Sequence, residues 1–167
     1  MIKAVIWKGA TLLAVSKPEL TISRIAERHL FSLAVFEPEE TIPTALLDMC
    51  PTWFVTLFQW EPEQKRTLAH FAQFLLDERQ FNPERNSVLY VGDDGEDILL
   101  ARRQQIMPLV VRTEEYRLCK YDGYRPVVNP MQKSVPVLPS AQFVPGWVVR
   151  QNRTAAAPVP WSGGHAA

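Results

Sequence analysis

The chain has 167 residues, of which 47% are hydrophobic and 22% are charged, and its formal net charge is zero. This length suffices for one hydrophobic core and is short for two, and the longest apolar runs are far too short to cross a membrane. Met1 to Lys3 leads into a strand pattern instead of a signal peptide, so we expect a cytoplasmic protein without a membrane segment. Cys50 and Cys119 are isolated, which argues against a disulfide framework or a zinc site.

Strand and helix patterns alternate along the first 111 residues. Apolar runs of strand length cover residues 2–7, 30–36, 52–58, 88–91 and 107–111. Helical spacing of apolar residues covers 18–29, a segment that starts at Glu37, residues 61–79 and residues 98–106. Short links between these segments predict an α/β fold in which five strands form a mainly parallel sheet with helices on both faces.

An acidic loop separates the fourth strand from the helix that follows it. Asp93, Asp94 and Asp97 lie within five positions of a turn that tightens on Gly92. Such carboxylates repel each other unless a cation or a helix N-terminus offsets their charge, and Mg²⁺ prefers oxygen ligands of this kind. The alternative is that Asp94 caps the helix while Glu96 and Asp97 complement its dipole, and residue types alone favour this second interpretation.

The order of residues from 88 to 111 resembles the fourth motif region of the haloacid dehalogenase-like (HAD) superfamily. In that region an apolar strand ends in Gly-Asp, a second Asp follows three or four positions later, and a helix leads to a short apolar strand. Gly92-Asp93, Asp97 and Ala101 match this pattern, whereas Gln105 replaces a glycine that often precedes the last strand. The resemblance extends over residues 1–112 and implies a Rossmann-like domain, assigned to residues 1–115, without a cap domain.

The resemblance also implies magnesium-dependent phosphotransfer, in which an Asp at the end of the first strand attacks phosphorus and a second Asp two positions on acts as acid and base. Neither Asp is present. An alignment without a gap puts Lys8 and Ala10 at these positions, and an alignment anchored on Thr11 puts Trp7 and Gly9 there. The sequence therefore predicts a degenerate site whose catalytic residues are unknown.

Three other residues could supply the remaining parts of such a site. The resemblance implies a lysine that balances charge, for which Lys65 is the candidate, and a hydroxyl that holds phosphate, for which Thr11 is the candidate. The chain has Phe-Glu-Pro at 36–38, where the family carries a Thr or Ser after the second strand. Lys8 could pair with Asp93 or Asp97 across the carboxyl edge of the sheet and replace the metal with a built-in cation.

The pattern changes after residue 111. Residues 1–116 hold 12 Lys and Arg against 17 Asp and Glu, a formal charge of −5, and residues 117–167 hold six against one, a charge of +5. The proline spacing from Arg125 onward predicts extended or polyproline-like structure and excludes helix. We assign residues 116–153 to a basic, proline-rich tail that packs on the body or on a partner, and residues 154–167 to a flexible terminus. Aromatic and basic side chains for such binding are Arg117, Lys120, Tyr121, Tyr124 and Arg125.

Two functions of different class are compatible with these features. The first is a catalytically impaired HAD-like protein that binds a protein or a phospho-ligand and docks through its tail or the open edge of its sheet. The second is a magnesium-dependent phosphohydrolase with an atypical nucleophile. Binding of nucleic acid by the basic tail is a weaker alternative, because six spread charges form no dense basic stripe.

Overall fold

A computed structural model describes residues 1–49, 54–63, 87–111 and 135–156 of the chain. Its strands and helices occur in the order given by the following bounds: β1 Ala4–Lys8, α1 Gly9–Leu13, α2 Pro18–Ala26, β2 Phe31–Phe36, α3 Thr44–Leu47, β3 Val55–Gln59, β4 Val88–Gly92, α4 Gly95–Arg103, β5 Met107–Val111, β6 Val137–Leu138 and α5 Val144–Ala156. A short 3₁₀ turn, Ala141–Phe143, leads into α5. No helix within the described ranges combines the length and the apolar character that a bilayer crossing requires.

The strands of the described residues form one sheet in the order β3-β2-β1-β4-β5-β6, and every neighbouring pair is parallel. This is the predicted Rossmann-like α/β arrangement, except that the sheet has six strands instead of five. The additional strand, β6, pairs with Val110 and Val111 through only two residues. A strand of that length has no detectable alternation, so the sequence pattern did not reveal it.

Buried side chains form a core on each face of the sheet. Val5 and Trp7 of β1 point to the face covered by α1, α2, α3 and α5, whereas Ala4 and Ile6 pack on the opposite face with Ala101 of α4. This alternation follows from the two-residue period of a strand. The prediction of helices on both faces is therefore confirmed.

Residues 9–30 contain two helices and their connections, so the segment between β1 and β2 holds no cap domain. The sequence patterns predicted no helix where α1 forms. Gly9 begins this helix at a point where a Cβ atom would lie 2.5 Å from Cδ1 of Phe36 and 2.7 Å from the carbonyl oxygen of Val35. Only glycine allows the chain to turn so close to β2.

The expectation that proline excludes helix after Arg125 is wrong for residues 144–156. Pro145 is the second residue of α5, where a missing N–H costs little, and no proline follows until Pro158, beyond the end of the helix. Val144 and Val148, four positions apart, are fully buried in the core. The helix also includes residues 154–156, which the sequence assigned to a flexible terminus.

Other boundaries differ from the predictions by a few residues. The helix expected from Glu37 begins only at Thr44, directly after Pro43. The helix after β4 begins at Gly95, three residues earlier than predicted, because Asp94 caps it. Gln105 adopts a φ of 60° just beyond α4, the left-handed conformation that explains why a glycine is common there. The predicted helix at 61–79 lies mostly outside the described residues.

Asn152 of α5 makes two hydrogen bonds to the backbone of Ile2, which lies just before β1. Its side-chain oxygen accepts a hydrogen bond from the backbone N–H of Ile2 at 2.7 Å, and its Nδ2 donates to the carbonyl oxygen of Ile2 at 3.0 Å. The contact satisfies both polar groups of one buried residue beside β1.

We expect Asn152→Ala to lower the free energy of unfolding by about 1 to 3 kcal/mol, because two hydrogen bonds are lost and two backbone groups of Ile2 lose their partner. Urea denaturation followed by circular dichroism measures the change. Gln151→Ala is the matched control, since residue 151 is exposed on the same helix. Equal unfolding midpoints for the two variants would show that the two hydrogen bonds between Asn152 and Ile2 do not stabilise the fold.

Candidate functional site

The site lies at the carboxyl edge of the sheet, where β1 and β4 end side by side. Trp7 pairs with Val91, so the next residues, Lys8 and Gly92, end their strands at the same level. Parallel strands bring their carboxyl ends to one edge, which is where open α/β sheets bind ligands. The register therefore places Lys8 opposite the acidic loop that follows Gly92.

The ammonium of Lys8 contacts all three carboxylates of this loop. Its Nζ lies 2.6 Å from Oδ1 of Asp93, 3.0 Å from Oδ2 of Asp97 and 3.3 Å from Oδ2 of Asp94. The side chains of Asp93 and Asp97 are each 10% exposed, that of Lys8 is 27% exposed, and that of Asp94 is 51% exposed. Charges buried to this extent require partners, and here one cation serves three anions.

The same acidic residues also begin helix α4. Asp94 is the N-cap residue, and its side chain accepts a hydrogen bond from the N–H of Asp97 at 2.9 Å. Oδ2 of Asp97 lies 3.4 Å from the N–H of Asp94, which completes a reciprocal capping box, and 3.2 Å from the N–H of Asp93. The capping interpretation is therefore confirmed, with Glu96 in the first turn of the helix.

Two further residues fix the position of Asp97. Tyr90 is buried, and its hydroxyl donates a hydrogen bond to Oδ1 of Asp97 at 3.1 Å. At Gly92, a Cβ atom would lie 2.6 Å from Cβ of Asp97, so any other residue there would push the carboxylate away. The sequence did not identify Tyr90, because its role depends on the pleat of β4 and not on a motif.

Burial and neighbouring charges shift the pKa values of these groups. Burial alone would lower the pKa of Lys8, but the charges of Asp97 and Asp93 raise it far above its usual value. Burial raises the pKa of Asp97 to about 6, against the opposing effect of Lys8. Burial also disfavours the charged form of Asp94, yet the hydrogen bond from the N–H of Asp97 and the charge of Lys8 leave its pKa below the usual value. Burial and the charge of Asp97 raise the pKa of Tyr90, so this phenol stays protonated.

The other residues considered at and after the end of β1 place no functional group at the acidic loop. Trp7 is fully buried and its Nε1 donates to Oγ of Ser32 at 3.2 Å, while Gly9 has no side chain. Thr11 is buried, and its hydroxyl donates to the carbonyl oxygen of Lys8 at 2.6 Å, which stabilises the turn from β1 into α1. Ala10 carries only a methyl group.

The loop after β2 forms a second acidic feature of this edge, which sequence reasoning missed. The backbone N–H of Glu37 donates to Oε1 of Glu40 at 2.6 Å. Nε2 of Gln59 donates to the carbonyl oxygens of Glu40 at 2.7 Å, Glu37 at 3.1 Å and Pro38 at 3.4 Å. Burial raises the pKa of Glu40. The spacing of Glu37 and Glu40 was the available signal, but only the pairing of β2 with β3 brings Gln59 to the loop.

The three aspartates have the composition and the proximity of a metal site. One oxygen from each of Asp93, Asp94 and Asp97 lies within 4.8 Å of the others, so the cluster could hold a metal ion. Mg²⁺ binds oxygen at about 2.0 to 2.1 Å and needs the space between its ligands. The Lys8 ammonium already lies within hydrogen-bonding distance of all three carboxylates. As arranged, these residues do not fit Mg²⁺, because the metal would have to share its ligands with a second cation at close range.

Several candidate residues lie outside the described parts of the chain. These are the charge-balancing candidate Lys65 and the tail residues Arg117, Lys120, Tyr121, Tyr124 and Arg125. Their roles stay predictions.

Comparisons with known proteins support the fold. Neither a protein-family model nor a curated protein matches the sequence. The structure is similar to D,D-heptose 1,7-bisphosphate phosphatase from Burkholderia thailandensis, with a TM-score of 0.57 and 9% identity over 88% of this chain and 98% of that one. It is also similar to the B. bronchiseptica enzyme of the same name, solved with magnesium and phosphate, with a TM-score of 0.58 and 12% identity over 90% and 99%. The chain therefore has the α/β fold of these two solved proteins, in agreement with the Rossmann-like fold that its sequence resemblance predicted.

We expect the Asp97 carboxyl to titrate near pH 6 in ¹³C NMR spectra and at a higher pH in Lys8→Met, which lacks the ammonium that favours the ionised form. The pKa of Asp97 in the folded protein exceeds its ordinary value of 3.8, so the folded state holds this proton more tightly than the unfolded state does. The resulting contribution to the free energy of unfolding is fully present below pH 3.8 and is lost as the pH rises through about 6. Lys3→Met, which replaces an exposed lysine directly before β1, is the control. A wild-type midpoint below pH 4 would contradict this electrostatic description.

Proposed function

We propose that this protein is a catalytically inactive protein with a HAD-like fold that acts as a protein-binding module. The observation that carries the proposal is the residue at the end of β1. The resemblance implies a nucleophilic Asp there, whereas this chain has Lys8, whose ammonium contacts all three carboxylates of the acidic loop. An ammonium held by buried carboxylates keeps its proton and has no free electron pair with which to attack phosphorus.

Each carboxylate of the acidic loop already has a partner within the chain, which argues against it as a replacement for the missing nucleophile. Both oxygens of Asp97 accept hydrogen bonds, and Asp93 lies 2.6 Å from the Lys8 ammonium. A carboxylate nucleophile is weak and must be aimed at phosphorus by groups that leave its attacking oxygen accessible. Loss of a nucleophile and of an acid-base group removes many powers of ten in rate, which favours a non-catalytic function.

The charge of the edge favours a protein over a phospho-ligand. Lys8 and the three carboxylates of the acidic loop together carry a formal charge of −2, which repels a phosphate group. The N–H of Glu37 at the end of β2 already donates to the carboxylate of Glu40, so an internal anion takes a donor that a phosphate would need. The excess of basic residues after position 116 supports tail docking to a protein.

Hydrolysis of para-nitrophenyl phosphate by the full chain, with and without Mg²⁺, tests the loss of catalysis. We expect no turnover above that of Asp93→Asn, which serves as the control for contaminating phosphatases, because the nucleophile is missing. Turnover that requires Mg²⁺ and disappears in Asp93→Asn would overturn the proposal and favour a phosphohydrolase with an atypical nucleophile.

The tail is best tested by substitution and not by truncation. Removal of everything after Thr113 would also delete Ala141, Val144 and Val148, which are fully buried in the core, and would damage the domain. Exposed positions outside the tail offer a matched control for loss of positive charge, namely Lys17, Arg24 and Arg28.

We expect the triple variant Arg117→Ala, Lys120→Ala, Arg125→Ala to capture a given cellular protein at least about tenfold less well than wild type, a loss of about 1.4 kcal/mol in binding. Quantitative mass spectrometry of captured proteins measures the difference. The triple variant Lys17→Ala, Arg24→Ala, Arg28→Ala should bind as wild type does. Equal capture by both triple variants would contradict tail docking, and capture that is lost after nuclease treatment would favour nucleic acid.

A further inference from the structure

We infer that Lys8 takes the place of a metal ion at this site, so that the acidic loop keeps its geometry without one. Replacement of Lys8 by a neutral residue would then allow the three carboxylates to bind a divalent cation. The inference concerns what holds the acidic loop in place, and it does not depend on the identity of a binding partner. It rests on the contacts of one ammonium with three carboxylates and on the proximity of those carboxylates to each other.

Geometry supports the replacement. A metal ion draws carboxylate oxygens from separate residues toward one point, and the Lys8 Nζ does the same, at 2.6, 3.0 and 3.3 Å from its three partners. The ammonium has three N–H donors, one for each carboxylate. Its backbone belongs to the central part of the sheet, because β1 pairs with β2 on one side and with β4 on the other. The cation therefore comes from a rigid strand and is not lost by dissociation.

Asp94 and Asp97 also have partners other than Lys8. Asp97 accepts hydrogen bonds from Tyr90 and from the N–H of Asp93, and Asp94 caps α4 through the N–H of Asp97. Removal of the ammonium would leave the three carboxylates, whose oxygens lie within 4.8 Å of each other, without a cation to offset their repulsion. Such a set of oxygen ligands suits a hard divalent cation completed by water.

Substitution of Lys8 tests this inference. Lys8→Met removes the ammonium and keeps an unbranched apolar side chain of similar length. Lys3→Met is the control, because it removes an exposed lysine that lies directly before β1. Binding of Mn²⁺ is measured by the loss of the free-ion electron paramagnetic resonance signal, with Mg²⁺ as competitor. We expect Lys8→Met to bind Mn²⁺ at least about tenfold more tightly than wild type and Lys3→Met, equivalent to about 1.4 kcal/mol.

The double variant Lys8→Met, Asp93→Asn should lose this binding, because a ligand is removed. Wild type should unfold at the same temperature in Mg²⁺ and in a chelator, whereas Lys8→Met should unfold at a higher temperature in Mg²⁺. Wild-type Mn²⁺ binding that Asp93→Asn abolishes would overturn the inference, as would a folded Lys8→Met that binds no more Mn²⁺ than wild type. If Lys8→Met does not fold, the measurement of Mn²⁺ binding by wild type still tests the inference. Lys8→Gln is then a second variant with a neutral side chain.

Discussion

The structure of the site depends on one ammonium shared by three carboxylates. Asp93 and Asp97 are almost completely buried, and without a cation their charges would have to be neutralised by protons or relieved by opening of the loop. Lys8 meets this requirement from the neighbouring strand, at hydrogen-bonding distance from all three. Breaking such a buried arrangement from one side costs far more than a surface ion pair contributes, because the remaining charges lose their partner.

The rest of the fold brings this cation and these anions together. Parallel pairing of β1 with β4 sets Lys8 and Gly92 at one level of the sheet, and Gly92 leaves room for the Asp97 side chain. The hydroxyl of the buried Tyr90 donates a hydrogen bond to Oδ1 of Asp97, the carboxylate oxygen that does not contact Lys8. The capping box then couples the acidic loop to α4, so that the residues that begin the helix are also those that surround the ammonium. A single set of carboxylates thus serves the local fold and the site.

A fold shared with solved phosphatases does not by itself imply phosphatase chemistry, because function resides in the side chains at the edge of the sheet. Here the acidic loop after β4 matches the resembled family, while the end of β1 carries the opposite charge from the expected carboxylate. The loop after β2 likewise offers Glu40 to its own backbone N–H. Both departures supply from within the chain a charge of the kind that a bound ion or ligand would bring, and both support the proposed non-catalytic function.

The sequence by itself determined the features that depend on neighbouring residues. Alternating strands and helices, the strand at 107–111, the cap at Asp94 and the lack of an Asp at the end of β1 all follow from local periods, capping rules and residue identity. It also allowed Lys8 to be considered as a partner of Asp93 or Asp97. Only the tertiary structure decided that the ammonium contacts all three aspartates, since 85 residues separate Lys8 from Asp93 and the register of β1 on β4 sets their distance. The contact of Asn152 with Ile2, the strand β6 and the helix α5 were decided in the same way, because packing on a distant part of the chain stabilises segments whose own pattern is too short or too rich in proline to predict them.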